Sequence, residues 1–169
     1  FRMEESEETG DFLEGTGSMI LDRVHQLVYA CLSPRTNKKL LEKWCEFTDY
    51  ELIVFSALDA DGMEIYHTNV MMAIGESFVV ICLETIKDAT ELAALKAAFQ
   101  KTDKEIIEIS LAQMMAFAGN MLQVRNKEGQ TFLVMSEQAF NSLTKDQIAQ
   151  IENHTKILYS PIPTIETYG

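Results

Sequence analysis

Glu14, His67 and Asn120 stand at equal intervals of 53 residues and carry, in turn, a carboxylate, an imidazole and a carboxamide. An imidazole titrates near neutrality and can act as general acid or base, and a neighbouring carboxylate favours its charged form. A carboxamide offers both a donor and an acceptor. Singly, each residue has an ordinary explanation. A lone histidine is more often a satisfied buried residue than a catalyst. Glu14, followed by Gly15 and Gly17, could cap a turn; Asn120 could occupy one; the glycines could serve only backbone of positive φ. Isolated structural residues, however, have no reason to keep a common interval.

The interval belongs to a repeat of strand, hairpin, strand, helix and strand. In the first copy, Met19 to Leu21 turns at Asp22-Arg23 into a strand from Gln26 to Leu32. A helix follows, capped by Thr36 or Asn37, with Leu40, Leu41, Trp44 and Cys45 on its apolar face, and then a strand over Glu51 to Phe55. The second copy turns at Gly75-Glu76, returns along Phe78 to Leu83 and enters a helix at Asp88. Glu91, three residues on, predicts a capping box, and Leu92, Leu95, Ala98 and Phe99 form the buried face before a strand at Glu105 to Ile109. A short helix is expected over Leu111 to Phe117, capped by Ser110. The third copy turns over Asn126 to Gly129, returns along Thr131 to Met135, and has a short helix from Ser136. A capping box at Thr144 and Gln147 opens a helix burying Ile148 and Ile151, and Lys156 to Tyr159 is the last strand. Equivalent positions of a repeat point the same way. Units arranged around an axis would therefore bring Glu14, His67 and Asn120 together in one polar centre.

Other reactive residue types read as structural. Cys45, on the helix face, and Cys82, in the most apolar strand, are expected in the core; Cys31 ends a strand with no local His or acid. His25, in a hairpin, and His154, at a helix end, are expected to be solvated. Asp59, Asp61 and Gly62 match part of a calcium loop, but the remaining ligands are missing and Asp-Gly is a common turn. Met71-Met72 reads as core. No HExxH or CxxC spacing calls for a metal, and no Gly-rich loop with its Lys calls for a phosphate.

Composition narrows the class. The 169 residues suffice for one domain with a real core, and 47% apolar with 24% charged residues is globular rather than disordered. A net charge of −12, with 26 acids against 14 bases, disfavours nucleic acid and anionic membrane surfaces as partners. The longest apolar stretch, Phe78 to Leu83, falls far short of the roughly 20 residues a bilayer needs. The opening residues are acidic where a signal peptide needs a basic segment. Three widely spaced cysteines make no disulfide framework, so a cytoplasmic setting is expected. The lack of an initiator Met fits a chain that begins inside a longer protein.

Three runs carry a family resemblance: Phe12-Leu13-Glu14-Gly15-Thr16-Gly17-Ser18, Ile65-Tyr66-His67-Thr68-Asn69-Val70-Met71-Met72, and Phe117-Ala118-Gly119-Asn120-Met121-Leu122. Over nearly the whole chain the sequence resembles the pentein, or guanidino-modifying, superfamily of arginine deiminases, dimethylarginine hydrolases and amidinotransferases. It is most similar to the bacterial citrulline-utilisation hydrolase branch. The resemblance implies an α/β propeller of five ββαβ modules. About three would be present here, over residues 12–57, 65–110 and 117–160 of a partial domain spanning 1–169, with one module missing before and one after.

The resemblance also implies chemistry. A Cys thiolate attacks the planar carbon of a guanidinium or ureido group, giving a covalent thiouronium-type intermediate; a His protonates the departing amine and activates water; a Glu holds the His. Glu14 and His67 match these last two, and Asn69 and Asn120 fall among the substrate-binding positions. No metal or cofactor is implied, and the partner is a small guanidino or ureido molecule. Two departures stand out. The nucleophile follows a Gly-rich stretch in the last module, which would begin near Thr164 to Gly169; none of Cys31, Cys45 and Cys82 matches it, so the chain alone is expected to be inactive. Asn69 stands where arginine deiminases carry Asp, which points to a neutral, citrulline-like head group. The alternatives are an amidinotransferase, or a non-catalytic binding protein like the translation factor that shares the fold. Open module faces predict aggregation or a homodimer.

Overall fold

The computed structural model describes residues 4–168, so residues 1–3 and 169, on which the reading of the chain's two ends draws, lie outside the described residues. Three three-stranded sheets follow one another along the chain, each with its strands in sequence order. The first contains β1 (Ile20–Asp22), β2 (Leu27–Leu32) and β3 (Glu51–Ser56), with α1 (Lys38–Thr48) between β2 and β3. β1 and β2 are antiparallel, and β2 and β3 parallel. The parallel pairing requires the crossover that α1 supplies.

The second sheet repeats this plan with β4 (Met72–Ile74), β5 (Phe78–Ile81), α3 (Ala89–Lys101) and β6 (Glu105–Glu108), preceded by a single helical turn, α2 (Thr68–Met71). The third has α4 (Leu111–Met115) before β7 (Leu122–Arg125) and β8 (Thr131–Ser136). Helices α5 (Glu137–Ser142) and α6 (Lys145–Glu152) then cross to β9 (Lys156–Ser160), and α7 (Pro163–Tyr168) follows. Every residue of β5 is buried, as a strand covered on both faces should be. Met71 and Met72 are core residues, as expected.

Units interlock through their helices. Besides its own sheet, α3 lies on β3 of the first sheet, and α6 on β6 of the second. The first strands also lie side by side, β1 by β4 and β4 by β7. The capping residues take part in this interlock. Asp88 caps α3 by accepting from the N–H groups of Thr90 and Glu91, but the expected box is not closed. The Glu91 carboxylate instead accepts from the Ser56 N–H at the end of β3, 2.7 Å away. Thr144 and Gln147 do close a box, as do Ser110 and Gln113. The two glutamine amides also bond to each other, and Gln147 donates to the Glu108 carbonyl at 2.7 Å.

Several expectations are corrected. Of the two caps expected for α1, Asn37 is the one that forms, while Thr36 is buried and bonds inward. Cys45 and Trp44 are half-buried rather than core, because α1, unlike α3 and α6, has no preceding sheet beside it among the described residues. β5 ends at Ile81, where the chain enters a 3-10 turn over Leu83–Thr85. His154 is not solvated. It bridges Ser77 (2.8 Å) and Glu105 (2.9 Å) and stacks on Phe78, joining the second and third units. His25 is exposed, as expected, and pairs with Asp22 at 2.9 Å. Asp59 accepts from the N–H groups of Asp61 and Met63, closing the turn expected there.

Candidate active site

Glu14 lies in an irregular segment before β1, and His67 immediately before the single turn of α2. The repeat brings the two together: His67 Nε2 lies 2.7 Å from Glu14 Oε2. The pair is partly shielded, with the imidazole 17% and the carboxylate 41% exposed. With Nε2 donating to the carboxylate, Nδ1 is the nitrogen left to exchange a proton with a ligand. Gly17 packs against the face of the ring at that nitrogen. A Cβ on Gly17 would stand 2.6 Å from His67 Nδ1, so only glycine leaves the ring its place.

Two neighbours that the sequence reading missed complete the surroundings. Arg35 approaches Glu14 at 3.8 Å and lies over the Tyr66 ring, 5.0 Å from its centroid. Tyr66 in turn packs its ring 5.0 Å from that of His67. Tyr66 has Leu13 and Gly119 at its repeat equivalents, so the interval gives it no role, and Arg35-Thr36-Asn37 reads in sequence as the lead-in to a helix.

Asn69 is half-buried, its N–H donates to the Gly17 carbonyl at 3.2 Å, and its carboxamide is bonded to nothing among the described residues. Asn120 is exposed in the turn after α4, its N–H bonded to the Phe117 carbonyl. It is not joined to Glu14 or His67 by any hydrogen bond. The preceding Gly119 does bring this loop close: a Cβ there would lie 2.2 Å from the Val70 carbonyl oxygen, three residues after His67. A groove of about 540 Å³ runs along β1 from Gly15 and Thr16, with Ala73 and Ile74 of the second unit and Met121 of the third in its walls; Glu14, His67, Asn69 and Asn120 do not line it.

The cysteines offer no activated nucleophile. Burial pushes the Cys31 and Cys82 thiols up to about 12, and burial followed by the Glu42 charge raises that of Cys45. A thiol held protonated is a poor nucleophile. Among the described residues no group of three or more His, Cys, Asp or Glu side chains is placed to hold a metal ion.

Residues 2–169 match the family described as eukaryotic N,N dimethylarginine dimethylhydrolase. The chain belongs to this family. It is thereby a member of the pentein superfamily, and its relatives are enzymes that modify guanidino groups. The search of curated proteins gave no match. Among solved structures the fold is similar to that of apo ArgZ, an arginine dihydrolase from the ornithine-ammonia cycle in cyanobacteria (TM-score 0.72, 14% identity, 92% of this chain and 23% of ArgZ). It is similar to AgrE in a binary complex with L-arginine (TM-score 0.73, 16% identity, 93% of this chain and 22% of AgrE). It is also similar to SxtG, an amidinotransferase from Microseira wollei in the saxitoxin biosynthetic pathway (TM-score 0.55, 11% identity, 90% of this chain and 40% of SxtG). The chain thus spans less than half the length of each of these three proteins. No helix among the described residues is long and apolar enough to cross a membrane.

Proposed function

We propose that the chain is the part of a cysteine-dependent hydrolase of guanidino or ureido C–N bonds that carries its acid-base pair. The observation behind this reading is the 2.7 Å hydrogen bond between Glu14 and His67, residues of two different units at equivalent points of the repeat. In the proposed reaction a thiolate from outside this sequence attacks the central carbon and a C–N bond breaks, leaving a covalent intermediate that is a thiouronium when the substrate is a guanidino group and a thiocarbamate when it is a ureido group. His67 gives a proton to the leaving amine, then takes one from the attacking water, while Glu14 orients the ring. With Cys31 and Cys82 buried and the Cys45 thiol raised by burial and the Glu42 charge, the chain alone is expected to be inactive. The cytoplasm suits a protein whose three cysteines are free.

Asn69 sets the substrate class in this reading. Its uncommitted carboxamide can bond a neutral ureido group by both donor and acceptor, where a carboxylate would select a cation. A citrulline-like substrate is the proposal; Asn120, on the adjoining loop, is assigned a part in binding it.

Further ββαβ units complete the domain as a five-unit propeller. The support is local: β3 and β6 are each covered by the helix of the next unit, whereas Leu122, Val134 and Leu158 on the third sheet are exposed. An isolated chain is expected to bury that surface by self-association as a dimer. The test of the function uses a longer polypeptide that contains both this chain and a reactive cysteine. Ornithine release from citrulline, lost in His67→Ala and Glu14→Gln, is the expected result; faster hydrolysis of arginine than of citrulline would overturn the ureido assignment.

A further inference from the structure

Beneath the Glu14–His67 pair lies a buried network of three hydroxyls, those of Ser18, Thr36 and Thr68. The Ser18 hydroxyl accepts from the Glu14 N–H at 3.1 Å and from the Thr36 hydroxyl at 2.8 Å, and donates to the Arg35 carbonyl at 3.0 Å. The Ser18 carbonyl accepts from the Thr68 hydroxyl at 2.6 Å, and the same Thr68 oxygen accepts from the Cys31 N–H at 2.8 Å. One residue therefore holds the backbone of Glu14 by its side chain and the residue next to His67 by its carbonyl.

We propose that Ser18 is a positioning residue that sets the separation of Glu14 from His67, with Thr68 as its partner in the second unit. The pair cannot position itself. Its carboxylate is 41% exposed, where the contacts with His67 and Arg35 hold little against side-chain entropy. Glu14 also sits in an irregular segment held to the lead-in of α1 by the Leu13–Thr36 bridge and by its own N–H to the Arg35 carbonyl at 3.3 Å, and Ser18 bonds to the same two residues, Thr36 and Arg35. Buried hydroxyls behave differently, because each must keep its partners once water is excluded. The network is thus the fixed frame and the Glu14–His67 bond the result. Thr68 carries the frame across the boundary between units, and the Asn69 N–H adds a parallel bond to the Gly17 carbonyl at 3.2 Å.

The inference concerns geometry, and its bearing on catalysis rests on the reaction proposed above. The test therefore reads geometry in this chain directly, through the side-chain 15N–1H spectrum of His67. Glu14→Gln identifies the signature of the bonded Nε2–H by abolishing it. Ser18→Ala is expected to remove that signature. Thr68→Val is expected to weaken it and Thr68→Ser, which keeps the hydroxyl, to retain it. Thr85 supplies the control: it too is fully buried in the second unit, but its hydroxyl donates to the Cys82 carbonyl at 2.7 Å, away from the network. Thr85→Val should lower the melting temperature and leave the His67 signature intact. The proposal fails if Ser18→Ala keeps the wild-type signature, or if Thr85→Val loses it equally, which would mark Ser18 as ordinary core packing. Should Ser18→Ala not fold, the two Thr68 variants decide, and identical wild-type spectra from both overturn the proposal. A longer enzyme without activity on ureido or guanidino compounds would remove the proposed reaction and leave this spectral result standing.

Discussion

Lys104, at the entrance to β6, reaches across to Asp22 at the end of β1, with Nζ 2.9 Å from Oδ2 and the two side chains only 1% and 4% exposed. The ammonium also donates to the Glu76 carbonyl at 3.0 Å, and Asp22 accepts from the N–H groups of Val24 and His25 and contacts the His25 ring. A buried ion pair is stabilising only when such secondary bonds satisfy both partners. This one fastens the first unit to the second.

Removing one partner should therefore cost far more than removing both charges. Lys104→Met leaves the Asp22 carboxylate buried without its cation and is expected to destabilise the fold by about 3–5 kcal/mol, read by urea denaturation. Adding Asp22→Asn, which can still accept from the hairpin N–H groups, should restore a large part of that loss. A single variant within about 0.5 kcal/mol of wild type, the usual range of surface substitutions, would show that the pair contributes little.

The same carboxylate makes stability depend on acid. Burial pushes the Asp22 carboxyl up, but the bonds from Lys104 and His25 outweigh it and leave the group below its usual value of about 3.9. A group depressed on folding stabilises fully above its unfolded pKa, and that contribution is lost as pH falls through the folded one. Wild-type melting temperature should drop below about pH 4 more steeply than that of Asp22→Asn. Parallel curves would refute this.

The repeat was legible because apolar periodicity and cap residues are local signals, and the equal interval, with units set around an axis, pointed to Glu14 beside His67. Longer-range uses of the same residues were not legible. Glu91 has the sequence position of a capping-box residue, yet its carboxylate goes to Ser56 in the preceding unit. His154 looks like a helix-end histidine until Ser77 and Glu105 are brought beside it by the docking of the third unit. Asn120 shows the limit of the interval itself: equivalent position brings its loop near, through Gly119 against Val70, without making a contact.

The thiols should divide by exposure. Cys31 and Cys82 are fully buried and pushed up to about 12, whereas Cys45 is half-buried on α1. A disulfide-exchange reagent at pH 8 should modify Cys45 in the native protein and all three cysteines in denaturant. Because the folded state holds the buried thiol protons, their contribution to stability is complete below about pH 8.5, the ordinary thiol value. It is lost progressively as pH rises toward 12. Rapid native labelling of Cys82 would contradict the burial argument.

Two glycines distinguish the fold from the site. At Gly119 an added Cβ meets the Val70 backbone oxygen at 2.2 Å, and backbone cannot turn aside. Gly119→Ala should force the second and third units apart and cost about 1–3 kcal/mol, as overpacking does in a close-packed interior. At Gly17 the obstacle is the His67 ring, 2.6 Å from the added atom, and a side chain can rotate away. Gly17→Ala should therefore unfold at nearly the wild-type urea concentration while displacing His67 from Glu14. In a crystal structure of Gly17→Ala the ring should lie out of hydrogen-bond reach of the carboxylate. A Gly17→Ala protein with the 2.7 Å contact preserved would mean that the segment before β1 moves instead, and that the glycine does not seat the histidine.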